Sequence, residues 1–170
     1  MPRHSVHRDV HDEKLREKAC GPTALKIVLD YFGLPGPDIE ELINLCLGKG
    51  AYSQRMGWRH TGLAYIARRY DLGAAVLTWG HLHSEAILKN LEQALRRGPC
   101  LALIRPKEPS GARSRFVVVK KMTKSKAHII LHDPTARSRR KVYRRPRTSD
   151  FMEQWEDFKV IAMKNLSSAI

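Results

Sequence analysis

The sequence predicts an α+β domain, with N-terminal helices packed on a C-terminal antiparallel sheet. Three observations carry that expectation. Apolar residues recur at helical spacing in the first half of the chain. Short β-branched runs bounded by turn residues fill the second half. The 170 residues, 42% of them apolar, suit one domain with its own core, so residues 1–170 read as a single unit.

The elements follow in order. Met1 to Lys18 is polar, and residues 1–12 read as a mobile tail. Pro22 to Phe32 is apolar almost all round, which predicts a buried helix, and Gly33 is placed to end it in a left-handed cap. Asp38 opens a second helix, with Glu41 as capping-box partner and Ile39, Leu42, Ile43 and Leu45 facing inward. Thr61 is the expected cap of a third helix through Tyr70, and Ser84 of a fourth that Gly98-Pro99 stops. Strands are expected at Cys100–Arg105, Arg115–Met122 and His128–Asp133, the last two joined by a turn at Thr123–Lys126. A short basic strand at Val142–Arg144, a helical turn from Asp150 through Trp155 and a strand at Lys159–Lys164 complete the reading.

Composition narrows the function. No run approaches the roughly 18 apolar residues of a membrane span. The N-terminus has no apolar core of a secretory signal, so a cytoplasmic setting is expected. The three cysteines are widely spaced and form no C-x-x-C pair, so neither a disulfide framework nor a metal site is expected. His4, His7 and His11 are a weak metal pattern that fits a solvated tail better. No cofactor is implied. The formal charge is +14, and 15 of the Lys/Arg residues lie between Arg105 and Arg147, leaving the rest near neutral. Arg137, Arg139, Arg140, Lys141, Arg144, Arg145 and Arg147 form the densest part. They read either as a solvated edge or as a patch for an anionic partner. Tyr143 is the one aromatic there, and no nucleic-acid motif is present, so sequence-specific DNA reading is not indicated.

The chemistry centres on Cys20, at the mouth of the first buried helix in Ala19-Cys20-Gly21-Pro22-Thr23. A helix N-terminus favours the thiolate. Gly21 would let a substrate backbone approach, and Pro22 suits a first helical turn. A small buried hydrophobe is the plain alternative. Cys46 and Cys100 lie within apolar segments and read as core.

The run from Ala19 to Leu25, followed by Tyr31-Phe32-Gly33, resembles the active-site start of the double-glycine, bacteriocin-processing cysteine peptidases. Gly57-Trp58 to Leu72, Leu95 to Ile104, Phe116 to Val119, His132-Asp133-Pro134 and Asp150-Phe151 to Trp155 resemble the family's later elements in the right order. The resemblance implies a papain-like fold, a peptide substrate, no metal and a Cys-His-Asp triad. Cys20 matches the nucleophile and Asp133 the acid that orients the histidine. Gly21 and Trp58 are the implied substrate-binding residues. The histidine should open the first hairpin strand, where this chain has Arg115. The family's Gln upstream of the cysteine also has no counterpart before Gln54, although His7 lies in that region.

Arginine stays protonated at physiological pH and cannot act as general base, though it could pair with a thiolate. Strand alternation puts His128 and His132 on the face opposite Asp133, so neither should reach Cys20 alongside it. His60, His81 and His83, near helix starts, read as surface residues. The sequence therefore predicts a papain-like cysteine peptidase with an incomplete triad. The alternative is a non-catalytic peptide- or anion-binding module on the same fold.

Overall fold

The computed structural model describes residues 1–107 and 113–167. In chain order the elements are α1 (Val6–Asp9), α2 (Glu13–Arg16), α3 (Cys20–Tyr31), α4 (Ile39–Gly48), β1 (Tyr52–Ser53), β2 (Gly57–Trp58), α5 (His60–Arg68), β3 (Leu72–Thr78), α6 (Ser84–Leu95), β4 (Cys100–Ile104), β5 (Arg115–Met122), β6 (Ile129–His132), α7 (Arg139–Val142), β7 (Tyr143–Arg144), α8 (Thr148–Gln154) and β8 (Trp155–Asn165). Six strands form one sheet in the order β3-β8-β4-β5-β6-β7, with every pairing antiparallel. The fold class is α+β, as the sequence predicts.

The sheet is covered on both faces. Leu101, Phe116, Val118, Ile161 and Met163 turn to one side and pack with α3, α4 and α5. Cys100, Val117, Val119, Ile129, Leu131 and Val160 turn to the other and pack with α6 and α8. This is strand alternation at work, since β5 feeds Phe116 and Val118 into one core and Val117 and Val119 into the next. Cys46 and Cys100 are fully buried in these cores, and burial pushes both thiols up to about 12.

The local signals act as expected at several ends. Gly33 takes φ +66° while the N–H of Leu34 donates to the Leu29 carbonyl, closing α3 in a left-handed cap. Asp38 and Glu41 form a reciprocal capping box on α4. The hairpin turn closes with the N–H of Thr123 donating to the His128 carbonyl. Other ends differ. α5 begins at His60 and α6 at Ser84, so Arg59 and His83 occupy the N-caps, and neither side chain caps its helix.

Two strands exceed or escape the sequence reading. β3 spans Leu-Gly-Ala-Ala-Val-Leu-Thr, whose small residues carry little strand preference, and its pairing along β8 overrides that preference. β8 begins at Trp155 rather than Lys159. Positive φ at Asp157 and Phe158 breaks the register between Ile104↔Trp155 and Ala102↔Val160, which hides the first half of the strand from a period-2 pattern.

The first twelve residues pack against the rest of the domain in this structure. Val6 and Val10, four apart, are buried with Ala19, Ile39 and Ile43. Backbone and side-chain bonds fasten the segment to the loop after β6: Val6 N–H donates to Pro134 O at 2.7 Å and Ser5 Oγ to Ala136 O at 2.6 Å.

Gly62 lies one turn into α5, and a Cβ there would meet Ala51 Cα at 2.6 Å and Ala51 Cβ at 2.7 Å. Alanine is the better helix former by roughly 1 kcal/mol, while forcing a methyl against fixed backbone costs about 1–3 kcal/mol. Packing should win. Gly62→Ala is expected to lower the urea midpoint, and an unchanged or higher midpoint would show that the contact yields.

Candidate active site

Cys20 is the first helical residue of α3, and Pro22, with no N–H to place, occupies the opening turn. The thiol is partly buried and lines a cleft of about 1120 Å³ between the helical half and the sheet. Trp58 forms part of the wall, held by its indole N–H donating to Lys18 O at 3.0 Å. Gly21 also serves the packing of this wall. It is buried, and a Cβ would meet Trp58 Cγ at 2.8 Å and Leu63 Cδ1 at 3.1 Å. The space above Gly21 is filled by the Trp58 ring, so the glycine lets wall and helix meet.

Arg115 opens β5, and Asp133 follows the last residue of β6. Antiparallel pairing of these strands brings the two side chains together, with Arg115 Nη2 2.9 Å from Asp133 Oδ2. Arg144 Nη1 reaches the same oxygen at 3.1 Å. The other oxygen accepts from the Thr135 N–H at 3.0 Å and the Thr135 hydroxyl at 2.7 Å. Asp133, 2% exposed, thus has four donors, as a buried carboxylate requires. Arg115 and Asp133 both lie close enough to Cys20 to act on its charge.

The net effect on that thiol reverses the expectation from the helix end. Burial raises the Cys20 pKa most strongly. The backbone N–H groups of Phe116 and Gly21 pull it down, Asp133 pushes it up, and Arg115 lowers it least of these. Loss of solvation outweighs the two N–H groups and the Arg115 guanidinium, whose Nη2 pairs with Asp133 while its buried Nε has no partner among the described residues.

The histidines are distributed as strand alternation requires. His132 lies opposite Val118 and bonds through Nδ1 to the Pro2 carbonyl at 3.0 Å. It does not join Asp133. His128 sits at the far end of the hairpin, bridged to Arg147. His4 contacts Asp30 at 2.6 Å and Asp9 at 3.8 Å. Among the described residues no cluster of three His, Cys, Asp or Glu is arranged to hold a metal. His81 and His83 are exposed, and so is His7 on α1. His60 is the exception to the surface reading: it lines the Cys20 cleft, edge-on to the Phe116 ring at 4.9 Å between centroids. Gln54 also lines the cleft.

Arg144 and Thr135 complete the acid's cradle, and sequence reasoning missed both. Thr135 had a local signal, since an Asp accepting from the N–H two residues on is a common turn device. Arg144, eleven residues away, had none. Of the basic segment, Arg137, Arg140, Lys141, Arg145 and Arg147 are exposed, and the Arg139 side chain lies outside the described residues. β7 is an edge strand, so charge there also discourages edge-to-edge pairing.

Comparison with known proteins then settles the family. The Peptidase C39 family model matches residues 11–167. This chain belongs to the Peptidase C39 family. No curated protein matches it. A double-glycine-motif protease from an AMS/PCAT transporter, solved with its leader peptide, is similar at 19% identity and TM-score 0.57, over 86% of this chain and 84% of that one. The peptidase domain of Streptococcus ComA, a bifunctional ABC transporter of a quorum-sensing pathway, is similar at 15% and 0.58, over 87% and 92%. The N-terminal C39-like domain of a toxin-secretion ATP-binding protein from Vibrio parahaemolyticus gives 17% and 0.53, over 87% and 98%. At these identities the structures establish the shared papain-like fold. No helix among the described residues is long and apolar enough to cross a membrane.

Two measurements follow. Cys46 and Cys100 are sealed in the core, so alkylation of the native protein reports Cys20. Its iodoacetamide rate should rise at higher pH than that of a free cysteine, and a midpoint at or below the free-thiol value would contradict the burial argument. His60 and His132 are both lowered by burial to about 4. Cationic neighbours, Lys159 for His60 and Lys120 for His132, add to the effect. The unfolded chain, with histidines near 6.5, therefore takes up these protons first. The stability these histidines contribute is present above about pH 6.5 and is lost as pH falls toward 4. Urea titrations across that window should show the decline, and His132→Gln should flatten it.

Proposed function

We propose that this Peptidase C39 family domain engages a peptide in the Cys20 cleft, with amide cleavage strongly attenuated by Arg115. Cys20 is the residue that would meet the peptide carbonyl, at the N-terminal end of α3 with the Phe116 and Gly21 N–H groups beside it. Trp58 walls the bound segment. The observation that carries the reading is the Arg115–Asp133 pair at 2.9 Å, Arg115 being the residue found where the resemblance implies a histidine.

The consequence is chemical. A triad histidine takes the thiol proton and returns it to the leaving amine. A guanidinium does neither, because it stays charged. The raised Cys20 pKa keeps the nucleophile in its unreactive form. The same pair favours a second reading, a module that binds peptide and does not cleave. The free substrate class is a peptide in both cases, in line with the leader peptide bound by one structural neighbour. The exposed arginines of residues 137–147 lie on the edge hairpin next to the Asp133 loop, where they would favour an acidic flank on that peptide. A cytoplasmic setting fits the free thiols.

Arg115→His tests the assignment. Restoring an imidazole beside Asp133 should raise cleavage of a double-glycine leader peptide by about 10²–10⁴-fold over wild type and move Cys20 alkylation to lower pH. The double variant with Asp133→Asn should lose the gain. Wild-type cleavage that already equals the Arg115→His rate would overturn attenuation. Wild-type binding of the peptide with no cleavage, measured by anisotropy and mass spectrometry, would select the binding module.

A further inference from the structure

The geometry points to a second ligand site, remote from Cys20: the groove between α6 and the β3–β8 edge binds an acyl chain with an anionic head group. The groove has a volume of about 700 Å³, within the range of roughly 300–1,000 Å³ that holds a small molecule. It exists because side chains are missing. Ala75 and Ala162, paired across the two strands, form its floor, and Ala94 lines it from α6, whereas the room above Gly73 is taken by the side chains of Leu166 and Lys164, which mark its cationic end. α6 stays over the sheet because Ile87 and Leu91 anchor it in the core further in.

The two ends differ. Trp79 and Leu77 close one end with apolar surface. Arg68, Arg97 and Lys164 stand at the other, where β3 begins and the chain leaves α6. Lys164 pairs with Gly73 in register, and Arg68 is fixed there by two bonds to the Ala74 carbonyl. All three cations are exposed, no carboxylate lines the groove, and none of the three forms an ion pair among the described residues. An apolar slot with a cationic mouth is complementary to an amphiphile with a negative head.

Volume selects an acyl chain over a helical peptide. A helix with its side chains is about 10–12 Å across, so a groove of about 700 Å³ would take little more than one turn of it. An extended peptide would bring backbone N–H and C=O groups into the slot, where Asn90 and Gln93 are the neutral polar side chains on hand.

The test is calorimetry of the intact protein with dodecanoate below its micelle concentration. Saturable one-to-one binding is expected, weakening about fourfold for each methylene removed from the chain. Dodecyltrimethylammonium should bind at least tenfold more weakly. Ala75→Leu, at an exposed floor position, should weaken dodecanoate at least tenfold by filling the slot, and Lys164→Glu or Gln93→Glu should do so by opposing the head group. Urea midpoints confirm that each variant is folded, and leader-peptide binding at the Cys20 cleft should be unchanged in all three. The proposal is overturned if dodecanoate shows no saturable binding, if the variants leave its affinity unchanged, or if the cationic amphiphile binds as well. It is overturned equally if an acidic apolar peptide occupies the groove, with the same variant sensitivity, while dodecanoate does not.

Discussion

A buried carboxylate must be neutralised, and much of this molecule is arranged around how Asp133 meets that demand. The interior penalises a lone charge by several kcal/mol. Asp133 avoids the penalty with four donors drawn from three elements: Arg115 on β5, Arg144 on β7 and both groups of Thr135 in the adjoining turn. Each donor fixes a different piece of chain. Arg115 ties the carboxylate to the strand that passes Cys20, Arg144 ties it to the edge hairpin, and Thr135 shapes the turn itself. Replacing the acid would strand two guanidiniums and loosen three elements at once.

The same arrangement explains the electrostatics of Cys20. Arg115 pairs with Asp133, and its pull on the Cys20 thiol is weaker than the push of burial. The sulfur then experiences mainly its own burial. The site keeps the shape of a nucleophile's cradle, with a helix end, two N–H groups and an apolar wall, while Asp133 is paired with guanidiniums and the one imidazole lining the cleft among the described residues, His60, packs on Phe116.

The sequence made the order of elements, the α3 start and the positions of Cys20, Arg115 and Asp133 legible, because those rest on local signals: a Cys-Gly-Pro helix mouth, Gly33 in its cap, an Asp-Pro turn after a β-branched run. What it hid depends on pairing across the fold. β3 is written in glycine and alanine and becomes a strand because β8 lies beside it. β8 hides its first half behind the two left-handed residues Asp157 and Phe158. That Gly21 must also lack a side chain to seat Trp58, nearly forty residues on, shows only in the folded chain. His60 reads as a surface residue until the cleft closes around it. Arg144 reads as one of seven basic residues in a charged run, and only the return of β7 along β6 singles it out.

The bonds between the first residues and the loop after β6 bear on how the domain assembles. Ser5 and Ala136 are 131 positions apart, and Pro2 and His132 are 130 apart, yet each pair is joined directly. Contacts of such span close large loops, and loop closure slows folding. The loop that presents Asp133 thus takes part of its restraint from the far end of the chain, so a change among the first residues can reach the acid of the Cys20 site without touching it.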